Sequence, residues 1–128
     1  MSGKWKILIV EDDKMNQKVV KGMLDDTGYQ CILASNGIEG LEQLKEHEDL
    51  ELILLDWAMP EMDGLEMLQR VRAQPKYRSL PIIMLTAYNR ESDIVKAKEA
   101  GATDYLIKPF EDTMLIEKIR KAILSGKH

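Results

Sequence analysis

Five residues of the 128-residue chain stand where their chemistry could be pooled: Glu11 and Asp12 directly after the apolar run KILIV, Asp56 directly after LILL, Thr86 closing PIIMLT, and Lys108 directly after YLI. Two or three carboxylates brought close together repel and raise one another's pKa unless a cation neutralises them. A divalent cation is the economical solution. Hard oxygen ligands without His or Cys suit Mg²⁺, which takes one or two carboxylates and keeps several waters. The Lys108 ammonium and the Thr86 hydroxyl then complete a receptor for a phosphoryl group carried on one of the carboxylates. Taken singly, each residue has an ordinary explanation: Asp12 or Asp13 as a helix cap, Thr86 as a strand-end hydroxyl, Lys108 as a solvated charge. Their joint placement at one edge is what carries the functional reading.

Pooling requires elements that end together. Short apolar runs recur at KILIV, CILA, LILL, PIIML and YLI, and the stretches between them have helical rather than alternating spacing. Strands are predicted to start at residues 6, 52, 81 and 104 and to finish in Glu11-Asp12, Asp56, Thr86 and Lys108. Runs such as ILIV and LILL are apolar on both faces of a strand, as expected when helices cover both sides of a parallel sheet. The five-fold β-then-α order predicts an α/β, flavodoxin-like, doubly wound sheet of five parallel strands in the order 2-1-3-4-5. Strands 1 and 3 are then neighbours at the switch point, and Asp12 and Asp56 face one another across the crevice where ligands bind.

The helical faces are read from the same spacing. Met15, Val19, Val20, Met23 and Leu24 fall on the first, with Gly28 as a stop. Ile38, Leu41 and Leu44 mark the second, and Leu65, Leu68 and Val71 the third, which Pro75 keeps short. Leu115, Ile116, Ile119 and Ile123 mark the fifth. The fourth, around NRESDIVKAKEAG, offers only Ile94 and Val95 as large apolar residues beside Ala97 and Ala100, so it should be the least firmly docked; Gly101 is expected to end it in a left-handed cap.

Composition sets the outer bounds. A length of 128 residues fits one domain, 1–128, and 45% hydrophobic with 31% charged residues is ordinary for a globular chain. A net charge of −4 argues against a nucleic-acid surface. The single cysteine, Cys31, has no internal disulfide partner and reads as a small buried thiol in an apolar run. The start MSGKWK is no signal peptide, and no apolar run reaches the roughly 18 residues of a membrane helix, so a cytoplasmic, membrane-free protein is expected.

The stretches ILIVEDD, LILLDWAMPEMDG, MLTA and YLIKPF, in this order and spacing, resemble the receiver domain of two-component response regulators over nearly the whole chain. The wording around Asp56 is similar to the bacterial chemotaxis regulator, and VEDDKMNQ to receivers attached to hybrid histidine kinases. The resemblance implies that Asp56 accepts the phosphoryl group, that Glu11, Asp12 and Asp56 hold Mg²⁺ with the backbone carbonyl of Ala58, and that Thr86 and Lys108 bind the phosphoryl oxygens. Thr86 and Tyr105 would act as switch residues, Tyr105 turning inward on activation. Asp13 matches a variable position. A cis Lys108–Pro109 bond is expected. The family further implies a histidine kinase or histidine phosphotransfer protein as donor, an output face on the fourth helix, fifth strand and fifth helix, and a phosphorylation-dependent dimer. Ala58 and Tyr88, at the two family positions flanking the phosphoryl group, carry no acid or amide to orient a hydrolytic water.

The resulting expectation is a phosphorylation-controlled signalling switch that catalyses its own phosphotransfer and autodephosphorylation without being an enzyme toward external substrates. A haloacid-dehalogenase-type phosphatase would share the nucleophile and Mg²⁺ but needs a second Asp two residues on, where this chain has Ala58. A receiver-like scaffold would have no use for Asp12, Asp56 and Lys108 together. A dinucleotide-binding domain would need a glycine-rich loop where VEDDKMNQ stands. Trp57 reads as a partly exposed neighbour of the site. Neither His47, in a charged helix end, nor the terminal His128 makes a ligand, the methionines read as core filling, and Asp63 as a turn and helix-start residue.

Overall fold

The computed structural model describes residues 5–59 and 61–125; Pro60 and His128 lie outside the described residues. The chain runs β1 (Lys6–Val10), α1 (Lys14–Leu24), β2 (Gln30–Ala34), α2 (Gly37–Glu46), β3 (Leu50–Asp56), α3 (Gly64–Arg72), β4 (Ile82–Thr86), α4 (Glu91–Glu99), β5 (Asp104–Ile107) and α5 (Asp112–Ser125). All strands pair in parallel in the order β2-β1-β3-β4-β5. This is the flavodoxin-like order expected from the alternation of elements. The third strand begins at Leu50 rather than 52, and the fourth at Ile82 rather than 81. Pro81 has no N–H for a ladder, yet its carbonyl still accepts from the Ile53 N–H at 2.9 Å.

Strand pleating divides the apolar residues between two layers. Ile7, Ile9, Leu52, Leu54, Ile83 and Leu85 face one side, with Val20 and Leu24 of α1 and Leu115, Ile119 and Ile123 of α5. Leu8, Val10, Ile53, Leu55, Ile82 and Met84 face the other, with Leu44 of α2, Met67, Leu68 and Val71 of α3, and Ala97 of α4. Helices therefore cover both faces, and the continuously apolar strands follow from that burial. Cys31 lies on β2 at the edge of the sheet and is only half-buried, because an edge strand has a neighbour on one side alone.

Some helical faces differ from the spacing. Met15 and Val19 of α1 are exposed, at 67% and 48%, and the inward row is Gln17, Val20 and Leu24. Ile38 and Val95 are also exposed. In α2 the inward places belong to Gly37, Gly40 and Leu44. A Cβ on Gly40 would come within 2.8 Å of the Met67 Cε and 3.1 Å of a Val10 methyl, so the missing side chain is what lets α2 close on α3 and the sheet. α1 stops at Leu24, and a short 3₁₀ turn, Asp25–Thr27, precedes Gly28 at φ 88°. α3 ends at Arg72, before the turn that Pro75 opens. In α4 only Ala97 is fully buried and the capping Arg90 makes no side-chain cap, in keeping with the weak docking expected of it. Gly101, at φ 110°, follows its end.

Candidate functional site

The crevice is built by strand ends. β1 delivers Glu11 and Asp12, β3 ends in Asp56, β4 ends in Thr86, and β5 is followed directly by Lys108. Glu11 and Asp56 are buried, at 4% and 7% exposed, while Asp12 is exposed. One carboxylate oxygen from each of the three lies within 4.8 Å of the others. Lys108 Nζ donates to Glu11 Oε1 at 2.9 Å and stands 3.6 Å from Asp56 Oδ1. The single ammonium thus faces two buried carboxylates and sits closer to Glu11.

Burial, and then the neighbouring Glu11 charge, push the Asp56 carboxyl up to about 7, against the pull of Lys108. Partial loss of solvent at the crevice mouth and the adjacent Glu11 also raise Asp12, although the residue is largely exposed. An excess of negative charge among hard oxygen donors, with one carboxylate reaching solvent, fits Mg²⁺: the cation would lower the cost of keeping all three ionised. The raised Asp56 pKa gives the metal-free protein a defined pH dependence. Its folded value lies above the unfolded one of about 4, so its contribution to stability is complete below that pH and is lost as pH rises through about 7. Chemical denaturation in chelator is expected to show stability falling between pH 4 and 7, with Asp56→Asn flattening the decline. A parent profile rising over that interval in parallel with the variant would contradict it.

The loop after β3 is fixed by close approach. Asp63 caps α3, accepting from the Glu66 N–H at 2.9 Å, and the Gly64 N–H donates to the Trp57 carbonyl at 2.8 Å. A Cβ on Gly64 would overlap the Asp56 carbonyl oxygen and lie 2.8 Å from the Trp57 Cα. Because the atoms met are backbone and cannot swing away as a side chain would, Gly64→Ala is expected to cost about 2–3 kcal/mol in denaturant unfolding. A cost below a few tenths would show that the loop yields freely.

Trp57 departs from expectation. It is 7% exposed, turned into the layer covered by α2, α3 and α4, with the Tyr88 ring edge-on at 5.1 Å between centroids. Thr86 Oγ1 accepts from the Tyr88 N–H at 3.1 Å, and the Tyr105 hydroxyl donates to the Tyr88 carbonyl at 2.7 Å. Tyr105 is 8% exposed, so its ring is already inward here. Ala58 is exposed in the loop, and the Lys108–Pro109 bond is cis. His47 caps the end of α2 through its backbone N–H, and Asp13 caps α1.

Sequence reasoning passed over Gln17, a buried carboxamide that donates to the carbonyls of Glu11 and Ala34. Its signal was present: residues 17, 20 and 24 share one helical stripe, and a polar residue on a buried stripe needs partners.

A family profile described as "Response regulator receiver domain" matches residues 7–120. A chemotaxis protein CheY homolog of Campylobacter jejuni is 36% identical over 122 residues, covering 94% of this chain and 94% of its own. CheY-3 of Vibrio cholerae is 37% identical, covering 91% of this chain and 89% of its own. Among solved structures, chemotaxis protein CheY4 of Vibrio cholerae superposes with a TM-score of 0.87 at 32% identity, covering 94% of this chain and 99% of that one. The receiver domain of a signal transduction histidine kinase from Syntrophus aciditrophicus gives 0.87 at 35% identity, covering 94% and 91%.

Proposed function

The chain belongs to the response regulator receiver family, and from that membership we propose that it is a phosphorylation-controlled switch of a two-component system or phosphorelay in which Asp56 takes a phosphoryl group from a phosphohistidine. Receiver domains of this kind signal through phosphorylation and bind Mg²⁺ at an acidic pocket. The observation that carries the reading is the buried Asp56 facing Glu11, Asp12 and Lys108 at one sheet edge.

In the transfer, an Asp56 carboxylate oxygen attacks phosphorus, the P–O bond forms, and the P–N bond breaks with its electron pair returning to the donor imidazole. Glu11, Asp12, Asp56 and the Ala58 carbonyl would hold Mg²⁺, which supplies charge neutralisation at the phosphoryl oxygens. Lys108 moves its ammonium from Glu11 toward the new dianion, and the Thr86 hydroxyl donates to a phosphoryl oxygen. Thr86 carries the Tyr88 backbone with it, and Tyr88 holds Tyr105. The weakly docked α4 then shifts between two arrangements. The output face is α4-β5-α5, where Val95, Ile107 and Met114 are exposed, at 48%, 36% and 47%. It receives a protein target, or a second copy in a phosphorylation-dependent dimer. Residues 1–128 act as one receiver unit, cytoplasmic and without direct nucleic-acid or membrane contact. Among the described residues no helix is long and apolar enough to cross a membrane.

Phosphotransfer profiling against purified histidine kinases and histidine phosphotransfer proteins tests this reading. Mg²⁺-dependent label on the chain is expected from at least one donor. No label from any donor, and none from a small phosphodonor, would overturn it. Trp57 fluorescence gives a second check. Mg²⁺ titration is expected to change it in the parent and far less in Asp12→Ala, and an equal response in both would remove Asp12 from the site.

A further inference from the structure

Beyond the pair Val10 and Ala34 the register of β1 with β2 ends. Ala34 O still accepts from the Glu11 N–H at 3.0 Å. The Gln17 carboxamide, 4% exposed, takes the rest: Nε2 donates to Glu11 O at 2.6 Å and to Ala34 O at 3.2 Å. A primary amide has two N–H groups, so one side chain serves both carbonyls. α1 fixes where that amide stands. Asp13 caps the helix at the Met15 N–H, its carbonyl accepts from the Gln17 N–H at 3.0 Å, and Val20 and Leu24 seat the same face in the core.

The Glu11 carbonyl belongs to the planar peptide that joins Glu11 to Asp12. Holding its oxygen holds that plane, and with it the directions in which two adjacent carboxylates leave the chain. Residue 11 is therefore held at its N–H by Ala34, at its carbonyl by Gln17, and at its carboxylate by Lys108 and the Asp13 N–H. We infer that Gln17 is a positioning residue for the metal-binding carboxylates, acting through the Glu11–Asp12 peptide. Mg²⁺ demands near-octahedral geometry and tolerates little rotation of its ligands, so a freed peptide plane costs affinity. The inference rests on the reading of Glu11, Asp12 and Asp56 as Mg²⁺ ligands.

The test is calorimetric Mg²⁺ titration of the whole chain in four forms: parent, Gln17→Met, Gln17→Ala and Val20→Ala. Met keeps the shape and removes both donors, so its dissociation constant should rise about tenfold, as for other groups that orient metal ligands. Ala leaves room for a water to serve the two carbonyls and should raise it about threefold. Val20→Ala cuts a cavity in the same helix without removing a donor to the strand-end carbonyls, so it lowers the thermal midpoint while leaving the constant within about twofold. Were Gln17→Met not to fold, the contrast between Gln17→Ala and Val20→Ala decides. Parent-like affinity in the Gln17 variants, or equal weakening in Val20→Ala, overturns the inference and leaves Gln17 a packing residue. A parent with no saturable heat would overturn the metal reading itself, and this inference with it.

Discussion

Asp56→Asn is expected to abolish acyl-phosphate formation while the chain stays folded. The amide has nearly the shape of the carboxylate but is too weak a nucleophile to form a stable acyl phosphate. No neighbour replaces it. Glu11 is held by Lys108 and the Asp13 N–H, and Asp12 lies out in solvent. The substitution also removes a carboxyl whose pKa is pushed up by burial and by Glu11, so folding at neutral pH should improve in the absence of metal. The measurement is intact-mass analysis after treatment with a small phosphodonor and Mg²⁺, followed by mild base. Stoichiometric base-labile phosphate on the variant would move the acceptor elsewhere.

Slow loss of that phosphate is the second large effect. Hydrolysis needs a water in line with the Asp56–phosphorus bond, and a side chain able to orient it lowers the barrier. Ala58 is exposed but too short, and Tyr88 carries its ring against Trp57 rather than a polar group toward the acceptor. Combining Ala58→Asn with Tyr88→Glu is expected to speed hydrolysis by about one to two powers of ten, or roughly 1.4 to 2.8 kcal/mol in the barrier. A phosphate-release time course with no acceleration, in a double variant that still folds and binds Mg²⁺, would place the control of lifetime in other residues. Tyr88→Glu also removes the ring contact with Trp57, so Tyr88→Leu serves as a control for the loss of the ring alone.

The strand order, and the placing of several polar residues at one edge of the sheet, were legible in the chain because both follow from local pattern. Unbroken apolar runs such as LILL require burial on both faces, which a parallel sheet under two helical layers provides, and a carboxylate at the end of such a run falls at the crevice by topology. The spacing of residues 11, 12, 56, 86 and 108 predicted which groups could meet, and Glu11, Asp12, Asp56 and Lys108 do come together. It left open how the single ammonium divides itself, since whether Lys108 lies nearer Glu11 or Asp56 depends on reach across the sheet.

Helix orientation was decided in three dimensions. Spacing put Met15, Val19 and Ile38 inward because a helical stripe about 100° wide admits neighbouring rows, and hydrophobicity favours the bulkier one. Packing chose the other row: Gly40 lets α2 approach Met67, and the inner face of α1 carries Gln17, whose carboxamide meets two strand-end carbonyls. Trp57 is likewise turned inward, with the Tyr88 ring edge-on against it. Burial periodicity along single elements was enough to give the sheet and its order, and with them the strand ends that share an edge. Which face each helix shows, and which side chains hold the reactive groups in place, emerged only in the folded chain, since both depend on partners brought together from distant parts of it.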